Sequence, residues 1–245
     1  MENFLLDGER LDDLHRNNYK IIQNPKYFCF GIDAVLLSSF ARASVNEVVL
    51  DLCTGNGIIP LLVHAKTNAK TLYGLEIQKE LCNMAERTVK YNNLGEQIKI
   101  IEGDLKELST FFKNSSIDVI TVNPPYSNDL SGVKNSLSEK SIARHEILCT
   151  LEDVVEKSSR VLKSGGRFYM VHRPQRLVDI MYLLRKYKLE PKTIRLVQPF
   201  INKEPNMVLV EAIKCAKPML KVLNTLIVYN QDNSFTDEVY KIYYE

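Results

Sequence analysis

The sequence predicts an α/β fold: a doubly wound, mostly parallel sheet of about seven strands, with a short hairpin and helix placed ahead of it. Three observations lead there. Apolar runs at 48–52, 71–76, 98–101 and 117–122 alternate with segments of helical length at about 58–66, 78–92 and 104–113. The runs are close to continuous rather than alternating, as strands covered on both faces require. Each ends in a polar or glycine-rich turn, so chemistry-bearing residues gather at the carboxyl ends of the strands. At 245 residues the chain has room for one such domain and a sizeable core. The expected division is an extension over 1–30 and a main domain over 31–245.

Taken in order, Tyr19-Lys20-Ile21-Ile22 and Tyr27-Phe28-Cys29-Phe30 flank Asn24-Pro25 and are expected to pair as a hairpin. Gly31-Ile32-Asp33 then opens a helix through Ala41, with Asp33 as its N-cap and a candidate ligand contact. Val48-Val49-Leu50-Asp51-Leu52 is the first strand of the main sheet, and Cys53-Thr54-Gly55-Asn56-Gly57 turns it into a helix. Gly55 and Gly57 let the backbone bend tightly and approach a ligand closely. Asp51 lies inside that strand. The next strand ends in Glu76, about 25 residues on, where an acid suits the two hydroxyls of a ribose. A third strand is followed by Asp104. Singly, each acid is better explained as a cap or turn residue than as a ligand; aligned at one sheet edge with Gly55 and Gly57, they outline a nucleoside pocket. A dinucleotide site would carry a third glycine where Pro60 stands, and Asp51 would repel a phosphate but hold a cation. The pattern therefore fits S-adenosyl-L-methionine better than NAD.

The fourth strand, Ile117–Val122, stops at Asn123-Pro124-Pro125-Tyr126. Two prolines cannot continue a ladder; they remove two N–H donors and fix φ, leaving a backbone carbonyl of Asn123 or Pro124 pointing outward. With the Asn123 carboxamide oxygen, two acceptors converge on one spot, and Tyr126 adds a flat face. That arrangement suits the two hydrogens of an amino group on a planar system. The tetrapeptide alone also fits a rigid turn. Beyond it, 127–141 is rich in Ser and Asn and is expected to act as a lid, and Ala143-Arg144-His145-Glu146 opens a helix. Arg144 and His145 suit either RNA phosphate or a solvated helix start. A helix through Val161-Leu162, the Gly165-Gly166 turn, a fifth strand to Val171 and runs at 194–197 and 207–213 complete the sheet.

With 45% hydrophobic and 25% charged residues, the composition is that of an ordinary soluble domain. No apolar run reaches the length of a membrane span, and no signal-like start precedes the domain, so a cytoplasmic protein is expected. The five cysteines and four histidines are dispersed, which argues against a disulfide framework and a metal site. Net charge is only +2, yet eleven Lys or Arg stand between Lys157 and Arg195 against two acids, Asp179 and Glu190. Such an excess is expected of a surface that meets phosphates, or of a solvated helix face.

On Tyr27 to Leu37, Asp51 to Gly57, Asn123 to Tyr126, Ala143 to Glu146, Gly165-Gly166 and the tail segments 226–229 and 240–243, the chain resembles the class I S-adenosylmethionine-dependent methyltransferases with Asn-Pro-Pro-Tyr. Within them it is similar to the bacterial family that N6-methylates adenine 37 of a valine tRNA. The resemblance implies a Rossmann-like sheet, S-adenosyl-L-methionine as cofactor and tRNA as partner, with a monomer favoured. It further implies that Asp51, Gly55, Gly57, Glu76 and Asp104 hold the cofactor, and Asp33 is counted with them as the candidate contact its position suggests. Asn123, Pro124 and Tyr126 would be catalytic, and Pro125, Arg144 and His145 would meet the RNA. Two other substrates keep the fold. A glutamine methyltransferase acting on a release factor would carry a helical domain ahead of residue 31, and a DNA adenine methyltransferase would carry a target-recognition domain. A cofactor-binding partner subunit without catalysis would have no need of Asn-Pro-Pro-Tyr.

Overall fold

A computed structural model describes residues 4–27, 29–67, 69, 71–125 and 149–244. Two strands, β1 (Arg10–Asp13) and β2 (Lys20–Gln23), form an antiparallel hairpin, followed by α1 (Ile32–Phe40). The main sheet begins with β3 (Val48–Leu52), α2 (Ile58–Thr67), β4 (Thr71–Glu76), α3 (Lys79–Tyr91) and β5 (Ile98–Glu102). A 3₁₀ turn (Leu105–Glu107), α4 (Leu108–Phe111) and β6 (Ile117–Val122) follow, then α5 (Leu151–Val161), β7 (Leu162–His172) and α6 (Leu177–Lys186). The chain closes with β8 (Leu189–Gln198), β9 (Met207–Lys214), β10 (Lys221–Val222), β11 (Leu226–Ile227) and α7 (Asp237–Tyr244).

The strand order is β10-β8-β9-β7-β6-β3-β4-β5, with β11 also on β8. Among the described strands of this sheet, only the pairs that β9 makes, with β7 and β8, are antiparallel. The order reverses between β3 and β6, which lie side by side at the centre. That switch point is where α/β sheets open a crevice at the carboxyl ends of their strands.

The sheet holds nine strands rather than the seven expected, because Lys221–Val222 and Leu226–Ile227 add two short pieces to β8. The hairpin partner also differs. Lys20–Gln23 pairs with Arg10–Asp13, not with the segment after Asn24-Pro25, since His15, Asn17 and Asn18 all adopt positive φ and make the reversal between β1 and β2. Asp33 does not cap α1: Gly31 occupies that position, without a side-chain bond, and Asp33 sits in the first turn. Gly165-Gly166 is a register shift inside β7, between the Ile117–Leu162 and Val119–Arg167 pairs, rather than a turn ahead of a strand.

Strand periodicity divides the core. Val49 and Val119 face one cluster, with Val35, Leu37, Leu61 and Leu62 of α1 and α2; Leu50 and Ile120 face the other, with Leu108, Val154, Val155 and Ile180 of α4, α5 and α6. By the same period of two, Asp51, Thr121 and Asn123 lie on the side that α1 and α2 cover. The hairpin is seated on α3: Lys20 N–H donates to Asn92 Oδ1 at 2.9 Å, Asn92 Nδ2 returns a bond to Lys20 O at 2.7 Å, and Ile21 and Ile22 are fully buried.

Candidate active site

The site forms where β3, β4 and β6 end together. Leu52 pairs with Leu75 on one side and Val122 on the other, so Cys53, Glu76 and Asn123 stand level at the crevice. Chain reversal after β3 uses left-handed backbone at Cys53 (φ 56), Gly55 (φ 58) and Gly57 (φ 84). Among the described residues, a Cβ built on Gly55 would meet nothing within 4 Å, so on their side the turn borders open space. Glu76, nearly fully buried, ties this turn to β4: Gly55 N–H donates to Glu76 Oε2 at 2.8 Å and Gln78 N–H to Oε1 at 2.9 Å. Oε1 also accepts from Gln78 Nε2 at 3.2 Å, so among the described residues it is Oε2 that keeps a second lone pair for a ligand hydroxyl.

Asp51 is fully buried and accepts from Thr121 Oγ1 at 2.7 Å, across the β3–β6 pairing that sets the two residues opposite each other. Burial pushes its carboxyl up to about 7; the Glu76 charge adds to the rise and the Thr121 bond opposes it. Thr54 lies near enough to favour the anion but not in bonding geometry: Asp51 Oδ2 and Thr54 Oγ1 are both buried without a partner among the described residues. Two orphaned oxygens beside the turn fit a ligand that brings N–H donors and positive charge, as the amino acid end of S-adenosylmethionine does. The residues present therefore suit that cofactor.

Asn123 follows β6 directly. Its Nδ2 donates to Asp33 Oδ2 at 2.9 Å, which joins the tetrapeptide to the first turn of α1. Pro124 is buried and Pro125 half-buried. Asp104, after β5, caps the 3₁₀ turn by accepting from Lys106 N–H at 2.8 Å, on the same edge. Tyr126, Arg144, His145 and the expected lid lie outside the described residues.

Two neighbours were hidden in the sequence. His172 ends β7 beside β6; burial, then Arg176, hold its imidazole down to about 4, and its Nδ1 accepts from Arg173 N–H at 2.8 Å. It is neutral at physiological pH, and only its place at a strand end signalled it. Cys53 and Cys149, distant in sequence, come close enough to act on each other: the Cys149 thiol and burial push Cys53 up, and Cys53 holds Cys149 down. The basic excess, by contrast, is not one patch. Seven of the eleven residues sit in ion pairs: Arg160–Glu156, Lys163–Asp118, Arg167–Glu47, Arg176–Asp179, Arg185–Glu190, Lys186–Glu152 and Arg195–Glu238. Arg160, Lys163, Arg167, Arg185 and Lys186 belong to the amino edge of the sheet, while Arg173 and Arg176 follow β7 at the carboxyl edge. Among the described residues no three His, Cys, Asp or Glu side chains cluster to hold a metal ion, and no helix is long and apolar enough to cross a membrane.

Residues 18–187 match the family model of the methyltransferase small domain. A tRNA1(Val) (adenine(37)-N6)-methyltransferase of Porphyromonas gingivalis is 28% identical over 191 residues, which span 74% of this chain and 72% of that protein. Its namesake in Parabacteroides distasonis is 27% identical over 190 residues, with 77% and 78% covered. Among solved structures, a predicted O-methyltransferase from Agrobacterium tumefaciens superimposes with a TM-score of 0.70 at 21% identity, covering 86% of this chain and 94% of that one. M. jannaschii TYW2 in complex with AdoMet gives 0.59 at 14% identity, over 85% and 86%. At these identities the two structures speak for the fold. The family match takes in both the glycine turn and the Asn-Pro-Pro-Tyr strand end; this chain belongs to the methyltransferase small domain family and is an S-adenosylmethionine-dependent methyltransferase.

Proposed function

We propose that the chain methylates the exocyclic N6 of an adenine in RNA, most specifically adenine 37 of a valine tRNA. One observation carries this reading: Asn123, level with the glycine turn, commits its Nδ2 to Asp33, which turns Oδ1 to the opposite side of the carboxamide. An oxygen there, with the carbonyl of Pro124, can accept both hydrogens of an aromatic amine. Such an amine is a poor nucleophile because its lone pair is delocalised into the ring. Two fixed acceptors favour a pyramidal nitrogen and aim its lone pair. S-adenosylmethionine supplies the electrophilic methyl group as its carbon–sulfur bond breaks. The methylated amine then releases its proton to water or to these acceptors, and no strong base is required. Tyr126 is assigned the stacking of the base, which must leave its own stack to reach the site. The names of the two bacterial relatives support the same substrate.

Incubation with tritiated cofactor and either total tRNA or purified release factor, followed by nucleoside analysis, tests the reading. Label recovered as N6-methyladenosine at position 37 of a valine tRNA is the expected result. Label in the release factor, or in another nucleoside, overturns it.

A further inference from the structure

A carboxamide fits its site in two flips of nearly equal shape, one offering oxygen and the other an NH₂ group. Only the first can receive the hydrogens of an amine. An acceptor for an amine therefore needs something that rejects the second flip, and the structure supplies it. Asp33 Oδ2 lies 2.9 Å from Asn123 Nδ2. An ionised carboxylate can only accept, so it bonds the NH₂ edge and repels the carbonyl edge.

The carboxylate is itself seated. It lies in the first turn of α1, whose unpaired N–H groups favour an anion. A Cβ on Gly31 would stand 2.8 Å from Asp33 Oδ1, so the bare glycine is what leaves the carboxylate room. Solvent is largely excluded, with Asp33 only 9% exposed. On its outer side α7 brings up Tyr243, stacked on Phe235 with ring centroids 4.9 Å apart; burial, the neighbouring tyrosines and the Asp33 charge together push the Tyr243 phenol up to about 12. Helix capping does not account for Asp33, because Gly31 holds that position.

We propose that Asp33 is a positioning residue for methyl transfer, locking the Asn123 carboxamide in the flip that presents Oδ1 to the amine. The proposal rests on reading Asn123 as the acceptor of the substrate's hydrogens. It reassigns Asp33 from cofactor contact to a support for the reacting end of the site.

A double-mutant cycle tests it, with Asp33→Ala, Asn123→Ala and the double variant assayed at saturating cofactor under single-turnover conditions. The acceptor is whatever RNA or protein the native enzyme labels, so failure of the adenine reading shows as label elsewhere while the cycle still reports on the pair. Asp33→Ala is expected to lower kcat about ten- to a hundredfold with cofactor Kd, by calorimetry, unchanged within about twofold. In the Asn123→Ala background the same change should cost nothing more. Asp33→Asn, which can still accept but no longer repels the wrong flip, should fall between native and Asp33→Ala. Losses that multiply, or a weakened cofactor Kd with kcat kept, overturn the proposal. If Asp33→Ala does not fold, the cycle is run with Asp33→Asn under the same two criteria.

Discussion

The Gly55 N–H and the Glu76 carboxylate, 2.8 Å apart, join the glycine turn of one strand to the acid that ends its neighbour. The bond makes the shape of the turn and the position of Glu76 a single property. It also separates two effects of a methyl group at Gly55. With φ at 58, alanine there costs roughly 1–2 kcal/mol of backbone energy, and no atom of the described residues stands within 4 Å to add a clash. Gly55→Ala should therefore melt only a few degrees lower yet lose cofactor affinity by more than tenfold, because the new methyl enters the space assigned to the cofactor. Glu76→Ala should weaken cofactor binding as well. Calorimetric titration beside thermal melts decides; an affinity loss no larger than the stability loss would move the cofactor away from the turn.

Asp51 predicts an opposition between stability and binding. Its carboxyl has an ordinary value of 3.8 and is held at about 7 by burial in the folded chain. Below the ordinary value both states are protonated and the group contributes nothing. Between the two values the unfolded chain loses its proton while the folded one keeps it, so stability drains as pH rises. Above about 7 the full penalty remains, on the order of 4 kcal/mol. Asp51→Asn should thus raise the melting temperature of the cofactor-free protein at pH 8 and leave it nearly unchanged at pH 4. Cofactor affinity runs the other way: the native protein should bind more tightly as pH rises through about 7, and the variant should lose that dependence. A variant no more stable than native at pH 8 would show that burial does not penalise the ionised Asp51 carboxylate.

The central strands could be read from their residues because buried parallel strands are continuous apolar runs: β3, β4 and β6 lie where the sequence put them. What stayed hidden depends on chain reversal or on contact across the fold. Arg10-Leu11-Asp12-Asp13 carries one apolar residue and so no strand signal, and it pairs only because Asn17 and Asn18 accept left-handed backbone. Two-residue strands such as Lys221–Val222 have no period to read. Among the site residues, Glu76 and Asn123 were legible as strand ends. The Asp33–Asn123 bond was not, since the two residues lie 90 positions apart and only the fold brings them together.

The division of basic residues between the two sheet edges makes RNA binding testable by position. Arg173 and Arg176 follow β7 at the edge that holds Asn123, whereas Arg160 and Lys163 pair with Glu156 and Asp118 at the far edge. Each phosphate contact contributes roughly one unit to the salt slope of binding. Arg173→Ala and Arg176→Ala should each weaken tRNA binding and flatten the slope, while Arg160→Ala and Lys163→Ala leave both within error. Binding isotherms at several salt concentrations measure this, and the reverse pattern would place the RNA on the amino edge.

Asn123 is where binding and chemistry should part. Its oxygen is assigned to the reacting amine, while the groups assigned to the cofactor, Asp51, Gly55 and Glu76, belong to β3, its turn and β4. Removing one preorganised acceptor from such a site costs about a hundred- to a thousandfold in turnover. Asn123→Ala should lose at least that much, with cofactor Kd within about threefold of native, because no bond described between the cofactor residues passes through Asn123. Asn123→Asp is more discriminating. It keeps the size and one oxygen but puts a second carboxylate against Asp33, so one of the two must take up a proton or the pair must separate. Its activity should therefore be low near neutral pH and partly recover as pH falls, as protonation restores a donor toward Asp33. Native-like turnover in Asn123→Ala would remove this residue from the chemistry and return Asn-Pro-Pro-Tyr to a rigid turn.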